Sequence, residues 1–180
     1  MNFCSQCGSK VVLRIPQGED RTRHVCDQCG TVHYQNPKLV VGCVPELPDG
    51  RILICKRAIE PRVGYWTIPA GFMENGETLQ QAAARESMEE ALAQVEIGSL
   101  LTVVHITPAH QVHVFFRAKL LSEDVGAGPE SLDVRLVRPD EIPWEDIAFP
   151  STEYTLQRYL EDRSSGADGH HFTELTRRFR

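Results

Sequence analysis

Three glutamates, Glu86, Glu89 and Glu90, stand at i, i+3 and i+4 behind a glycine-bearing loop, Gly71-Phe72-Met73-Glu74-Asn75-Gly76-Glu77. In a helix this spacing carries all three carboxylates on one face. The neighbouring residues favour that helix. Thr78 with Gln81 forms a capping box, and Ala82-Ala83-Ala84 has the highest helix propensity available. Negative charge so concentrated is repelled unless something neutralises it. A hard divalent cation, Mg²⁺ or Mn²⁺, does this best through carboxylate oxygens. The upstream glycines can bend the backbone close to a bound ligand, where a carbonyl can join the metal shell. Loop, helix and carboxylates together suit hydrolysis of a phosphoanhydride. A merely solvated acidic face would require neither the glycine loop, nor the lead-in Trp66-Thr67-Ile68-Pro69-Ala70, nor a matched Arg85.

The positions of Gly71, Glu77, Arg85, Glu86, Glu89 and Glu90 resemble the Nudix box. The resemblance implies Glu86, Glu89 and Glu90 as principal metal ligands, with the Ala70 carbonyl in addition. It also implies that Glu77 and Arg85 pair to hold loop against helix. Two positions depart from the pattern: Ser87 stands where an apolar residue is usual, and Leu92 replaces the glycine that ends the helix. A left-handed cap costs a non-glycine residue sterically, so the helix is expected to run on through Leu92.

Four of the six cysteines form two knuckles, Cys4-Ser5-Gln6-Cys7 and Cys26-Asp27-Gln28-Cys29, each followed by glycine. That spacing matches a four-thiolate zinc ribbon. About thirty residues cannot build a core without such a staple. His24 and His33 lie nearby and are read as ribbon surface, because the thiolate set is already complete. The segment between the knuckles mixes Lys10, Arg14, Arg21 and Arg23 with Glu19 and Asp20, so it is no basic stripe. The net charge of −6 likewise argues against sequence-independent nucleic-acid binding. No apolar run approaches bilayer length, and the N-terminal residues lack the regions of a secretory signal. A cytoplasmic address is therefore the expectation, and the reduced thiols it implies agree with metal binding. Cys43 and Cys55 lie in apolar runs and are read as buried.

At 180 residues the chain accommodates one ordinary domain and a small accessory unit. The expected division is a ribbon over 1–35, a catalytic domain over 36–163 and a flexible tail over 164–180, where His170-His171 falls in an exposed loop. Strands are expected near 38–45, 51–57, 99–106, 111–121 and 134–138, and a final helix near 151–162. Periodicity alone gives α/β or α+β. The resemblance sharpens this to the Nudix α/β/α sandwich around a mixed sheet, with a homodimer as a family expectation.

The same resemblance implies hydrolysis of a nucleoside diphosphate linked to another group. Zinc-ribbon Nudix proteins include NADH pyrophosphatases, whose Ser-Gln-Pro-Trp-Pro-Phe-Pro-type motif is missing here; the region reads Thr102-Val103-Val104-His105-Ile106-Thr107-Pro108. Several segments are closer to plant chloroplast FAD pyrophosphatases and their bacterial relatives. They include Phe3-Cys4-Ser5-Gln6-Cys7-Gly8, Tyr34-Gln35-Asn36-Pro37-Lys38, Gly64-Tyr65-Trp66-Thr67-Ile68-Pro69-Ala70-Gly71 and Gly128-Pro129-Glu130-Ser131-Leu132-Asp133. This likeness implies cleavage of FAD to FMN and AMP, with ADP-ribose as a second substrate. NAD(H) or NAD-capped RNA is the enzymatic alternative. A nucleotide-sensing regulator that binds nucleic acid is the non-enzymatic one.

Around the box, Arg57 and Arg62 are read as phosphate contacts or surface charge. Trp66, Tyr65 and Phe72 are read as stacking partners for a base, with core packing the alternative for Trp66. The catalytic base is Glu130, Asp133, Glu74 or a box glutamate itself.

Overall fold

The computed structural model describes residues 1–176, in two compact units, Met1–Pro37 and Lys38 onward. In the first unit β1 (Val11–Arg14), β2 (Arg23–Cys26) and β3 (Val32–His33) form an antiparallel sheet. Each knuckle closes with a glycine N–H on the first cysteine carbonyl: Gly8 on Cys4 and Gly30 on Cys26, both at 2.9 Å. Both glycines have left-handed φ, +73° and +74°, which a side chain would oppose. The buried apolar side chains described here are only Cys4, Val25 and Cys26. So small a core cannot offset chain entropy unaided.

The second unit contains β4 (Lys38–Glu46), β5 (Ile52–Arg57), β6 (Trp66–Thr67), β7 (Ala70–Phe72), α1 (Leu79–Ala91), β8 (Val95–Ile106), β9 (Gln111–Leu120), β10 (Ser131–Val137), α2 (Pro150–Ser165) and β11 (His171–Leu175). The sheet runs β10-β5-β4-β9-β8-β11, with β6 on β5 and β7 on β4. β4 pairs with β9, and β8 with β11, in parallel, while the other pairs are antiparallel. This is the mixed sheet that the resemblance implies.

Alternation along the strands sorts the core into two layers. Val41, Cys43, Val114, Phe116 and Ala118 face Ala82 and Ala83 of α1. On the opposite face Val44, Ile54, Leu101 and Phe115 meet Leu156 and Tyr159 of α2. Burying each large apolar side chain here contributes about 1.5–3 kcal/mol. Helix α2 hides a polar stripe as well: Ser151, Thr152, Thr155 and Asp162 are all buried. Each has a partner across the sheet. Thr152 meets Thr67 at 3.2 Å, Thr155 meets Thr102 at 2.8 Å, Ser151 meets His113 at 3.0 Å, and Asp162 pairs with Arg117. Matched hydroxyls avoid the cost of buried unpaired groups, which is why the apolar residues of α2 alone do not define its inner face.

Two expectations are corrected. Helix α1 does not run on through Leu92; Leu92 takes the left-handed cap conformation itself, φ 51° and ψ 26°. Its N–H reaches the Met88 carbonyl, and the Ala93 N–H reaches Ser87, satisfying the terminal carbonyls. Nor is the segment after residue 164 a frayed tail throughout. β11 extends the sheet beside β8, and His171 is no exposed loop residue, because its Nε2 lies 2.9 Å from Asp162. His170 Nδ1 lies 2.6 Å from the Leu100 carbonyl. Residues 177–180 of the expected tail lie outside the described residues. No described helix is long and apolar enough to cross a membrane.

Candidate active site

Helix α1 starts where the sequence implies: the Thr78 side chain accepts from Gln81 N–H at 3.2 Å, and the Gln81 side chain accepts from Thr78 N–H at 2.8 Å. From that start, Glu86 and Glu90 turn inward and are buried, while the Glu89 side chain stays about half exposed. Gly71 on β7 lies so close that an added Cβ would collide with the Glu86 carboxylate. Gly128 is equally constrained, since a Cβ there would collide with the Glu89 carbonyl. Its N–H bonds the Glu90 carbonyl at 3.0 Å, seating the 128–131 loop on the end of α1.

Arg85 organises the cluster. Its guanidinium forms a two-pronged pair with Glu77 at 2.8 and 3.0 Å and reaches Glu86 at 2.7 Å and Glu89 at 2.9 Å. It also donates to the Phe72 carbonyl at 3.1 Å, so loop and helix are tied by one residue. These hydrogen bonds hold Glu77 down to about 2. Glu90 experiences the reverse. Burial pushes it up to about 8, opposed by the Ala70 N–H at 3.2 Å and reinforced by the charges of Glu86 and Glu130. Glu86 is also raised, by burial first, against the pull of Arg85. Inward carboxylates that resist ionisation beside further acids form an all-oxygen donor set, which fits a hard divalent cation. The three box glutamates do not converge on one point: Glu90 turns to Ala70 and Glu89 to Arg85. Mg²⁺ needs no such convergence, because it binds through one or two carboxylates, waters and substrate phosphates.

The remaining sequence candidates separate. Glu130 lies close enough for its charge to raise both Glu86 and Glu90, and its carbonyl accepts from Ala58 N–H at 2.8 Å. The Asp133 carboxylate is engaged within its own strand, by Val134 N–H and Arg135 Nε, each at 2.9 Å. Glu74 contributes its N–H to Glu77 at 2.6 Å. Arg57 is buried; its Nε donates to the Pro61 carbonyl at 2.9 Å, its guanidinium lies 5.0 Å from the Phe149 ring, and its charge counters the rise of Glu90. Arg62 has φ 68° and lies over the Tyr65 ring at 5.3 Å. Trp66 is corrected as a stacking surface: only 5% exposed, it packs in the α2-facing core, with Arg135 4.7 Å from its ring. Phe72, at 49% exposed, is available for a base.

In the first unit Cys4, Cys7, Cys26 and Cys29 bring their sulfurs within 4.8 Å of one another, the one such group of possible ligands among the described residues. Sulfur pairs stand 3.6 and 3.5 Å apart, close to the roughly 3.8 Å edge of a tetrahedron with Zn–S near 2.3 Å. The set fits Zn²⁺. His33 is not ribbon surface: it is buried, with Nε2 3.3 Å from Cys4 Sγ, where it would orient that thiolate if the four sulfurs held a metal. His24 is half-buried opposite it. Arg23 and Arg14 are matched by Glu19 and Asp27.

Family models match both parts of the chain: a Nudix N-terminal zinc ribbon over residues 2–35 and a NUDIX domain over 36–159. The crystal structure of a NUDIX hydrolase from Nitrosomonas europaea is 52% identical, with a TM-score of 0.92 over 97% of this chain and all of that one. An ADP-ribose pyrophosphatase from Streptococcus suis shares the fold, at 20% identity and TM-score 0.63 over 77% of this chain and all of that one. The NAD-capped RNA hydrolase NudC of Stutzerimonas stutzeri is 27% identical over 89% of this chain and 56% of its own length. NudC of Photobacterium profundum is 37% identical over 53% of this chain and 34% of its own length. The chain thus spans from one third to little over half of these curated relatives. Taken with the box geometry, the matches assign it: the chain belongs to the NUDIX hydrolase family and carries a Nudix-type zinc ribbon ahead of its NUDIX domain.

Proposed function

We propose that this protein is a divalent-metal-dependent pyrophosphohydrolase that splits the diphosphate of an adenine dinucleotide and releases AMP, with an NAD-type substrate the leading reading. The observation that carries the chemistry is the inward pair of Glu86, held against Gly71 and braced by Arg85, and Glu90, bonded by the Ala70 N–H, with Glu89 and Glu130 beside them. Glu86, Glu89 and Glu90 would hold Mg²⁺ or Mn²⁺, which when bound neutralises phosphate charge and lowers the pKa of bound water. Arg85 and Glu77 fix the loop against the helix, so the carboxylates are positioned before substrate arrives. Glu130, on a loop seated on the end of α1, is the residue proposed to take the proton from attacking water. Arg57, anchored by loop carbonyls, is proposed to face the phosphates.

The curated relatives named as NAD-capped RNA hydrolases support an NAD-type substrate over FAD, so the FAD expectation gives way as the first reading. FAD, with ADP-ribose, stays as the second reading on one observation: the region Thr102–Pro108 lacks the motif of NADH pyrophosphatases and forms the end of β8 and the turn after it. The test is incubation with Mg²⁺ or Mn²⁺ and, separately, NAD⁺, NADH, NAD-capped RNA, FAD and ADP-ribose, with products resolved by chromatography. Fastest release of AMP and nicotinamide mononucleotide, or of 5′-monophosphate RNA from the capped substrate, supports the leading reading. FMN and AMP appearing fastest would replace it with the second. Glu89→Gln should abolish turnover with the fold intact; retained activity would sink the ligand assignment.

A further inference from the structure

The Glu46 end of β4 borders a cavity of about 640 Å³ that no box residue lines. The box strand β7 pairs with β4 at Val40–Gly42, further back along the same strand. Parallel pairing of β4 with β9 sets Glu46 beside Lys119, so Leu47 and Pro48 share a wall with Leu120 and Leu121. Arg163 of α2 closes the polar side. This volume suits a small molecule, whose sites span roughly 300–1,000 Å³.

The polar side chains of the cavity are unevenly engaged. Both Glu46 oxygens are taken, one by the Tyr159 hydroxyl and the other by Arg163 Nη1 at 2.7 Å. The same Nη1 donates to the Gly50 carbonyl at 3.0 Å. Arg163 Nη2 lies against Gly50, where an added Cβ would collide with it. No described residue accepts from Arg163 Nε or Nη2. Those two nitrogens form the parallel donor edge that matches a carboxylate. Lys119 stands at the rim with the exposed Glu96 as partner, a contact that solvent weakens. The walls also reach the catalytic helix, because Leu47 and Leu120 pack in one buried cluster with Ala91 and Ala93 at the end of α1.

We propose that this cavity is a ligand site separate from the box, that it takes a small carboxylate with an apolar body, and that its occupancy stiffens the C-terminal end of α1. The carboxylate meets the Nε–Nη2 edge of Arg163, and the apolar body lies along Leu47, Leu120 and Leu121. The site stands whether or not the chain cleaves a dinucleotide.

Calorimetric titration of the full chain with octanoate tests this, with octanol as the probe lacking the charge and acetate as the probe lacking the body. Octanoate should bind on the order of tenfold more tightly than either. Arg163→Met should weaken octanoate on the order of tenfold and leave octanol unmoved. Leu121→Gln should also weaken octanoate. Leu121 is 58% exposed, so this variant keeps the core and serves even if Arg163→Met fails to fold. Amide exchange locates the ligand. Octanoate should slow Leu47 and Gly50 N–H, bonded to Arg51 and Leu47 at 2.9 Å each, and Ala93 N–H, bonded to Ser87 at 3.1 Å. No octanoate binding, octanol binding as tightly as octanoate, wild-type affinity in both variants, or unchanged exchange at Leu47 and Gly50 would overturn the site. Slowing there without slowing at Ala93 would keep the ligand and overturn its hold on α1.

Discussion

Acid should destabilise this protein through one buried imidazole. His113 is 8% exposed, and burial lowers its pKa to about 4 from the ordinary histidine value near 6.5. Its contacts are Ser151, Gln111 and the Phe115 ring, edge-on at 6.1 Å; none carries a charge that would offset the cost of ionisation. Because the folded pKa is depressed, the unfolded chain takes up the proton first. The stability it contributes is present above pH 6.5 and is lost as pH falls toward 4. At pH 5 the unfolded imidazole is almost wholly protonated and the folded one about one-tenth, which removes about 2 kcal/mol relative to pH 7. The perturbation is His113→Gln, whose amide keeps a donor and an acceptor without titrating. Urea unfolding of both proteins at pH 7 and pH 5, followed by Trp fluorescence, isolates the imidazole's contribution, since the carboxylates common to both cancel. The unmodified protein should lose about 2 kcal/mol more than the variant between those pH values. Equal losses would refute the reasoning and mean that His113 becomes protonated in the fold.

Gly71→Ala should displace the Glu86 carboxylate and lower kcat/KM on the order of a hundredfold with little change in Tm; an unaffected rate would show that Glu86 has no fixed role. Leu92→Gly should relieve the left-handed cap and stabilise by roughly 0.5–1 kcal/mol, raising Tm by roughly 2 °C; a fall in Tm would mean that Leu92 packing outweighs its backbone cost. Chelation under reducing conditions should expose the 1–37 segment to protease while 38–176 stays resistant, and loss of both together would show that the ribbon is not a separate unit.

The box was legible because each feature that makes it is local. Cap, alanine run, carboxylate spacing and glycine loop all lie within one stretch of chain, and the thiolate knuckles are legible for the same reason. Trp66 was not, because whether a tryptophan is core or platform depends on strands that arrive from elsewhere, here with Arg135 beside its ring. The polar face of α2 was hidden for a related reason. Ser151, Thr152 and Thr155 read as solvent-facing until Thr67, Thr102 and His113 are placed opposite them. Leu92 shows the limit of propensity: its steric cost is real, but the terminal carbonyls of α1 find donors only if the chain turns there. β11 escaped notice because its pairing with β8 is long-range and its own pattern is short and mostly polar.

One residue type meets two opposite environments within the box, and the contrast separates its structural members from its chemical ones. Glu77 is held near 2 by a two-pronged arginine and the Glu74 N–H. Glu90, thirteen positions on, is lifted to about 8 by burial with acidic neighbours. A single guanidinium cannot serve both, because Arg85 is already shared among Glu77, Glu86, Glu89 and the Phe72 carbonyl. The carboxylates it leaves under-compensated are the inward ones, so folding alone does not neutralise them. Environments that drive like groups apart mark a site where charge has work to do. Here the deficit is positive charge, which a divalent cation would supply. Replacing Glu77 should therefore disturb the loop and act on kcat/KM through geometry, whereas replacing Glu90 removes a group whose ionisation the cation itself would drive.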